Sequence, residues 1–459
     1  MSKAKVLEAE PMVKALGLKE IWAIGVGSVV GDGIFLLMGE GGQIAGPFAL
    51  VAYSVAGFLL LCMMVAMGEM AVGMPNAGSM WIWTRRCIGD LAGMISGISY
   101  AAGWIIAGGS VGIAIGTISN WFYQFGSKPE TSIIIWSLIW VTVFAIVNYM
   151  GVVMASRVQL FLVLGLVGLM LLFGIVSFVT GKVDVDNYQP FMPFGAGSFF
   201  PALAYGTYAY MGALTLTTAG SEAKKPVDLP KGLVYASITF LVIYTIAMAA
   251  MFGILSYEEM SVSESPFTAA AQLAFGPGAA FVINIAAWLA AATCLLGGTL
   301  YSAPRILLSM GESRILPEVF ARLNDKRVPG FATIFAWVLS VVLVLIGMKN
   351  PDVVYVTLSL LLVFCWVTTW TLGMISSIRY RKLFREEVEK LPWKQPLFPL
   401  FPIIGFFGVV IIMYGTFKGA ESALITGVVF LLLQVVYYYA YGKKNIKKTE
   451  THTEFNVEG

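Results

Sequence analysis

Apolar residues in this chain fall in long runs separated by short polar or charged stretches. A helix needs about 20 apolar residues to cross a hydrocarbon layer of about 30 Å. Twelve runs meet that length, at approximately 20–38, 47–73, 94–122, 132–153, 158–180, 198–219, 233–255, 279–303, 331–348, 353–378, 397–417 and 422–442. The pattern predicts an all-α integral membrane protein with twelve transmembrane helices, called spans 1 to 12 below. The first run follows a charged lead, and no small-residue cleavage pattern follows it, so no signal peptide is expected.

Basic residues orient such a bundle, because Lys and Arg collect in cytoplasmic loops. An even number of spans puts both termini on one side. That side takes 25 of the 29 Lys and Arg, leaving Lys128, Lys182, Lys349 and Lys418 on the other, where Asp184, Asp186, Glu258, Glu259 and Glu264 lie. Both termini are therefore expected in the cytoplasm, and the basic loops need no nucleic-acid partner.

Two spans carry residues that a continuous helix would avoid. Span 1 holds Gly25, Gly27, Gly31 and Gly33, with Asp32 between the last two. Each Gly costs about 1 kcal/mol relative to Ala in a helix interior. Span 6 holds the polar, aromatic, Gly-punctuated stretch Tyr205 to Gly212. A break frees N–H and C=O groups, which lipid does not tolerate unless they line a cavity or meet other protein. Breaks in spans 1 and 6 are five spans apart, the offset of a five-plus-five inverted repeat whose solute sits between two discontinuous helices. The repeats would cover about 20–180 and 198–380. Segment 1–19, loop 381–396, spans 11 and 12 at 397–442, and tail 443–459 lie outside them.

Composition narrows the chemistry. Apolar residues make up 58% of the chain and charged residues 12%, or 29 basic and 26 acidic side chains. A water-soluble protein of this size could not cover itself, which excludes soluble enzymes, nucleic-acid binders and disordered chains. The one histidine, His452, lies in the polar tail, so no buried His base and no His-based metal site is available. Cys62, Cys294 and Cys365 lie in apolar runs and Cys87 in a basic loop, with no CxxC spacing. No metal and no cofactor is expected. The GxxxxGK phosphate loop is absent, so ATP is not the power source.

Several stretches together resemble the amino acid–polyamine–organocation permeases across nearly the whole chain. Gly25 to Phe35 resembles the family's first-helix signature, Ala45-Gly46-Pro47 its opening of helix 2, and Glu69 with Pro75 to Gly78 its helix 2–3 loop. Glu222 to Pro226 with Pro230 resembles the loop after helix 6, and Arg305 with Pro317 the region after helix 8. The resemblance implies a leucine-transporter-like fold, alternating access, and small amino acids or amines as substrates. Departures matter too. The middle residue of the first-helix signature is usually small; here it is Asp32. Spacing from Asn148, Gly151 and Gln159 places Gly165 where many members have a Lys standing in for sodium. Leu214 stands where some antiporters have Glu, and Glu312-Ser313-Arg314 replaces the usual Arg-Asp-Gly.

Asp32 is the sharpest candidate, since a carboxylate at depth costs about 2.5–3.5 kcal/mol on insertion scales. In the relatives this break receives the substrate's carboxylate. An ionised Asp32 would repel it by about 4 kcal/mol at about 4 Å and an effective dielectric of about 20. The solute is therefore expected to be an organic amine whose ammonium pairs with Asp32, with Trp104, Tyr208 and Tyr210 offering aromatic faces. Three other roles stand beside this one: carrier of a coupled proton with an ordinary amino acid as substrate, N-cap of the second half of span 1, or sodium ligand. The expected binding set is Gly31, Asp32, Gly33, Ile34, Trp104, Tyr208, Ala209, Tyr210, Gly212 and Thr299, with Asp32 and Glu69 as coupling candidates for H+ or Na+. Glu69 is also expected to form a structural ion pair, Arg85 and Arg86 being close in sequence. Thr299, Thr207 and Asn148 suit interhelical hydrogen bonds better than ligand roles. The tyrosines at 437–439 and 441 suit an interfacial belt. A secondary transporter in the plasma membrane is the expected class, a solute-binding membrane sensor the alternative. An enzyme is disfavoured by the missing buried His.

Overall fold

The structure is a computed structural model that describes residues 12–261, 265–419 and 421–447, with the side chains of 417–423 excepted. Lys3, Lys5, Glu264, Lys448, His452 and the Lys418 side chain lie outside the described residues, as do much of segment 1–19 and most of tail 443–459. The described residues form helices and loops, with one isolated parallel bridge between Leu16 and Ala223. Eight helices are long and apolar enough to cross a membrane: Leu37–Gly73, Asp90–Phe122, Pro129–Tyr149, Val152–Val179, Asp228–Ile254, Pro277–Glu312, Pro351–Leu383 and Leu424–Asn445. Two shorter apolar helices, Gly330–Ile346 and Leu400–Thr416, fall in runs 9 and 11.

Runs 1 and 6 are divided. Helix Leu18–Val29 stops at Val30 and Gly31, a short helix Asp32–Phe35 follows, and Leu37–Ala45 continues beyond the expected end. Helix Phe199–Ala209 gives way at Tyr210 to a tighter helix, Met211–Ala219. The two interruptions press on each other. A Cβ on Gly212 would collide with the Ser28 carbonyl and the Val29 nitrogen, so only glycine admits this approach. Span 8 contains a wide turn at Cys294–Thr299 and runs on to Glu312, past its expected end at 303.

Span 3, Asp90–Phe122, lies at the centre, with Trp104 and Tyr100 fully buried. Its glycines let neighbours approach: a Cβ on Gly112 would come within 2.8 Å of Val141, and one on Gly103 would overlap the Trp366 ring. Small residues serve this packing where no hydrophobic effect joins helices in lipid. Spans 4, 5 and 12 instead expose apolar faces, with Phe161 77% and Val179 80% exposed. Such faces require an apolar surround, and the chain is a multi-pass membrane protein.

One end of the bundle is tied by ion pairs. Arg305 is 2% exposed within helix Leu300–Glu312 and forms a two-pronged pair with Glu222, both distances 2.7 Å. The Tyr301 hydroxyl donates to the same carboxylate at 2.5 Å, and the Arg305 guanidinium stacks 3.4 Å over the Tyr301 ring. The Glu222 carbonyl accepts from Ala15 and Leu16 at 3.0 Å, drawing in the N-terminal segment. Arg305 is thus a buried partner rather than the loop cation that the charge count assumed. Glu69 pairs with Arg381 at 2.7 and 2.8 Å, a partner distant in sequence. Arg85 instead holds Asp90 at 2.7 Å.

Candidate functional site

The break in span 1 positions Asp32 as the first residue of helix Asp32–Phe35. A helix start leaves N–H groups without intrahelical acceptors and carries partial positive charge. Asp32 places an anion at that point, 1% exposed. Its Oδ2 accepts the Tyr355 hydroxyl at 2.6 Å and the Tyr208 hydroxyl at 3.3 Å. Tyr208 lies over Gly33, where a Cβ would come 2.6 Å from its ring, and its hydroxyl is 3.4 Å from Ser110 Oγ. The carboxylate is thus joined to spans 3, 6 and 10 by neutral hydroxyls. Both bonds come from tyrosine hydroxyls, and Gly31 rather than Asp32 is the residue that precedes the helix. No ion pair among the described residues includes Asp32.

Asp32 faces a cavity of about 20 Å³, room for about one water molecule. Gly31, Gly33, Trp104, Tyr208, Ala209 and Gly212 line it with Asp32, as expected positions brought together by the two breaks. Its other walls include Ser28, Val29, Ala107, Val111, Met211, Cys294, Leu362 and Trp366. Trp104 packs against Trp366 with ring centres 4.4 Å apart, and its indole N–H has no acceptor.

Three expected positions are not among the cavity's lining residues. Ile34 is buried in the apolar core. Tyr210 turns toward Tyr244, with ring centres 4.9 Å apart, and toward Gly57, so it offers no face to Asp32. Thr299 packs its methyl against Gly108 of span 3, and its hydroxyl has no partner. Glu69 is also absent from the cavity lining. Gly165 is exposed, 3.5 Å from Leu289 in the nearest approach of a Cβ, so the sodium-mimic position inferred from spacing is corrected. The interface of spans 1, 5 and 8 is occupied by Gln159, whose Nε2 donates to the Thr293 carbonyl at 3.1 Å and which packs against Gly27 and Gly297. Asn148 donates to the Leu296 carbonyl at 2.9 Å, holding the wide turn of span 8.

Two residues that sequence reasoning missed organise the breaks. The Tyr244 hydroxyl of span 7 lies 3.0 Å from the carbonyls of both Val29 and Ala209, one freed at each interruption. Tyr355 makes the shorter bond to Asp32. A signal for it existed: Tyr355, Ser359, Leu362 and Trp366 recur at helical spacing and mark one face of span 10. Replacing Tyr355 with Phe should destabilise the protein by about 1.5–3 kcal/mol, the worth of a hydrogen bond to a charged group. Ser359→Ala should cost less, because Ser359 donates to the Tyr355 carbonyl at 2.8 Å, a bond between neutral groups. Thermal unfolding of both variants in detergent checks this. Equal midpoints would show that the Tyr355 hydroxyl does not support Asp32.

Comparison with known proteins adds the lineage. The family model described as "Amino acid permease" matches residues 20–448. The "Uncharacterized amino acid permease YtnA" of Bacillus subtilis (strain 168) is 27% identical over 456 residues, covering 95% of this chain and 97% of its own. "Amino-acid permease RocC" of the same organism is 27% identical over 457 residues, covering 94% and 95%. "Branched-chain amino acid permease BcaP" of Lactococcus lactis subsp. cremoris (strain MG1363) is 26% identical over 461 residues, covering 95% and 96%.

Proposed function

The chain belongs to the amino acid permease family, and from that premise we propose that it is a secondary-active transporter of a cationic amine, with the ammonium paired to Asp32. The observation that carries this reading is a buried carboxylate facing the cavity at the helix break, held by neutral hydroxyls and paired with no cation among the described residues. The helix start already holds an anion, so a substrate carboxylate would meet like charge there. An ammonium would meet Asp32 beside the aromatic faces of Trp104, Trp366 and Tyr208. Binding in a cavity of about 20 Å³ requires the surrounding helices to part, which fits alternating access. The reading takes twelve spans, inverted repeats over about 20–180 and 198–380, both termini in the cytoplasm, and a plasma-membrane location. H+ or Na+ is the coupling ion where there is one.

A second reading is favoured by the relatives, whose names describe amino acid permeases. In it the substrate is an ordinary amino acid and Asp32 carries the coupled proton or ion. Counterflow in proteoliposomes tests the transporter reading. Preloaded amine should drive accumulation of labelled amine at least tenfold above empty vesicles. Saturable binding without counterflow would mark a membrane sensor instead.

A further inference from the structure

A larger concave site lies at the basic end of span 10. Helix Pro351–Leu383 ends in Arg379, Arg381 and Lys382, a short helix Arg385–Lys390 follows, and the chain resumes an apolar helix at Leu400. An open groove of about 560 Å³ lies there, lined by Arg381, Lys382, Arg385 and Lys394 together with Glu389 and Phe398. That volume is within the range of small-molecule sites, about 300–1,000 Å³.

The cations in the groove are unequally engaged. Arg381 donates twice to Glu69 and once to the Gln395 carbonyl at 2.9 Å, with Phe398 beneath it at 4.3 Å. Arg385 has exposed Glu389 at 3.5 Å, a pair of little strength in water. Lys382 and Lys394 are exposed and enter no ion pair among the described residues. Counting Glu69 and Glu389 against the four cations leaves two positive charges uncompensated. Next in sequence to Phe398 is exposed Leu397 at 70%, and Leu400, where the apolar helix begins, is exposed at 47%.

We infer that this groove binds an anionic phospholipid, its phosphate-bearing headgroup held by Lys382, Arg385 and Lys394 and its acyl chains lying against Leu397 and Leu400. Orientation of the chain explains basic residues in a loop; it does not explain why four of them line one groove. A soluble phosphate would engage the cations alone, whereas a lipid would also lay its chains along the apolar helix that begins at Leu400. Arg381 forms the floor of the groove and holds Glu69 of span 2, so an occupied groove would lie one side chain from the helix that follows span 1.

Juxtamembrane cations contribute about 1 kcal/mol each toward anionic lipid, or about fivefold in affinity. Full-length protein in detergent should retain phosphatidylglycerol over phosphatidylcholine by native mass spectrometry and gain thermal stability from it. The triple variant K382Q/R385Q/K394Q should weaken that binding about 100-fold. The control K224Q/K225Q/K231Q, altered in another basic loop, should keep it. Unfolding midpoints in phosphatidylcholine should match the wild type, which separates lost binding from lost folding. Equal retention of phosphatidylcholine, or full retention by the first triple variant, would overturn the site. Inorganic phosphate that competes as well as phosphatidylglycerol would overturn the lipid as its occupant.

Discussion

Asp32→Asn is expected to lower affinity for a cationic amine by about three decades. The figure follows from removing about 4 kcal/mol of attraction between unit charges about 4 Å apart at an effective dielectric of about 20. Asparagine preserves the volume, and its amide oxygen can accept the hydroxyls of Tyr355 and Tyr208 that now reach Asp32. The variant should therefore fold and keep its cavity. Equilibrium binding to purified wild type and variant measures the loss. An unchanged amine affinity would remove Asp32 from the ammonium's site. Abolished proton coupling with unchanged binding would assign it to proton transfer instead.

The second large effect is structural. Arg305→Met leaves Glu222, 1% exposed, as an unpaired buried carboxylate, and breaking a buried pair by removing one partner costs about 3–5 kcal/mol. Tyr301 would still donate to Glu222, which softens the loss without supplying charge. The double variant Glu222→Leu with Arg305→Met removes both charges and should recover most of the stability. Asp90→Asn, by contrast, breaks a pair whose carboxylate is 42% exposed, and should cost no more than about 1 kcal/mol. Unfolding midpoints in detergent order the variants. A double variant as unstable as the single one would show that the pair fixes this end of the bundle by geometry rather than by charge compensation.

The parts of the fold that follow from local chemistry were legible in the sequence. Of the apolar runs, eight correspond to helices long enough to cross a membrane and two to shorter ones, and helices end at Val29 and Ala209 within the Gly-rich stretches at 25–33 and 205–212. Partners distant in sequence were not legible. Tyr355 meets Asp32 across 323 positions and Arg381 meets Glu69 across 312. Charge counting treats every Arg as solvated, so it concealed the burial of Arg305. Side-chain direction was the other blind spot. Residues two apart on a helical turn do not share a face, so Tyr208 and Tyr210 could not both look onto Asp32. A shift of one residue turns a helix by about 100°. That separates exposed Gly165 from Leu166, which is fully buried.

On this reading the carboxylate at the break belongs to the protein and not to the solute. Equilibrium binding of matched pairs to the purified wild type tests it most directly, with phenethylamine set against phenylalanine and isoamylamine against leucine at one pH. In at least one pair the amine should bind about 100-fold or more tighter than its parent amino acid. Amino acids that bind as tightly as their amines, or tighter, would contradict it.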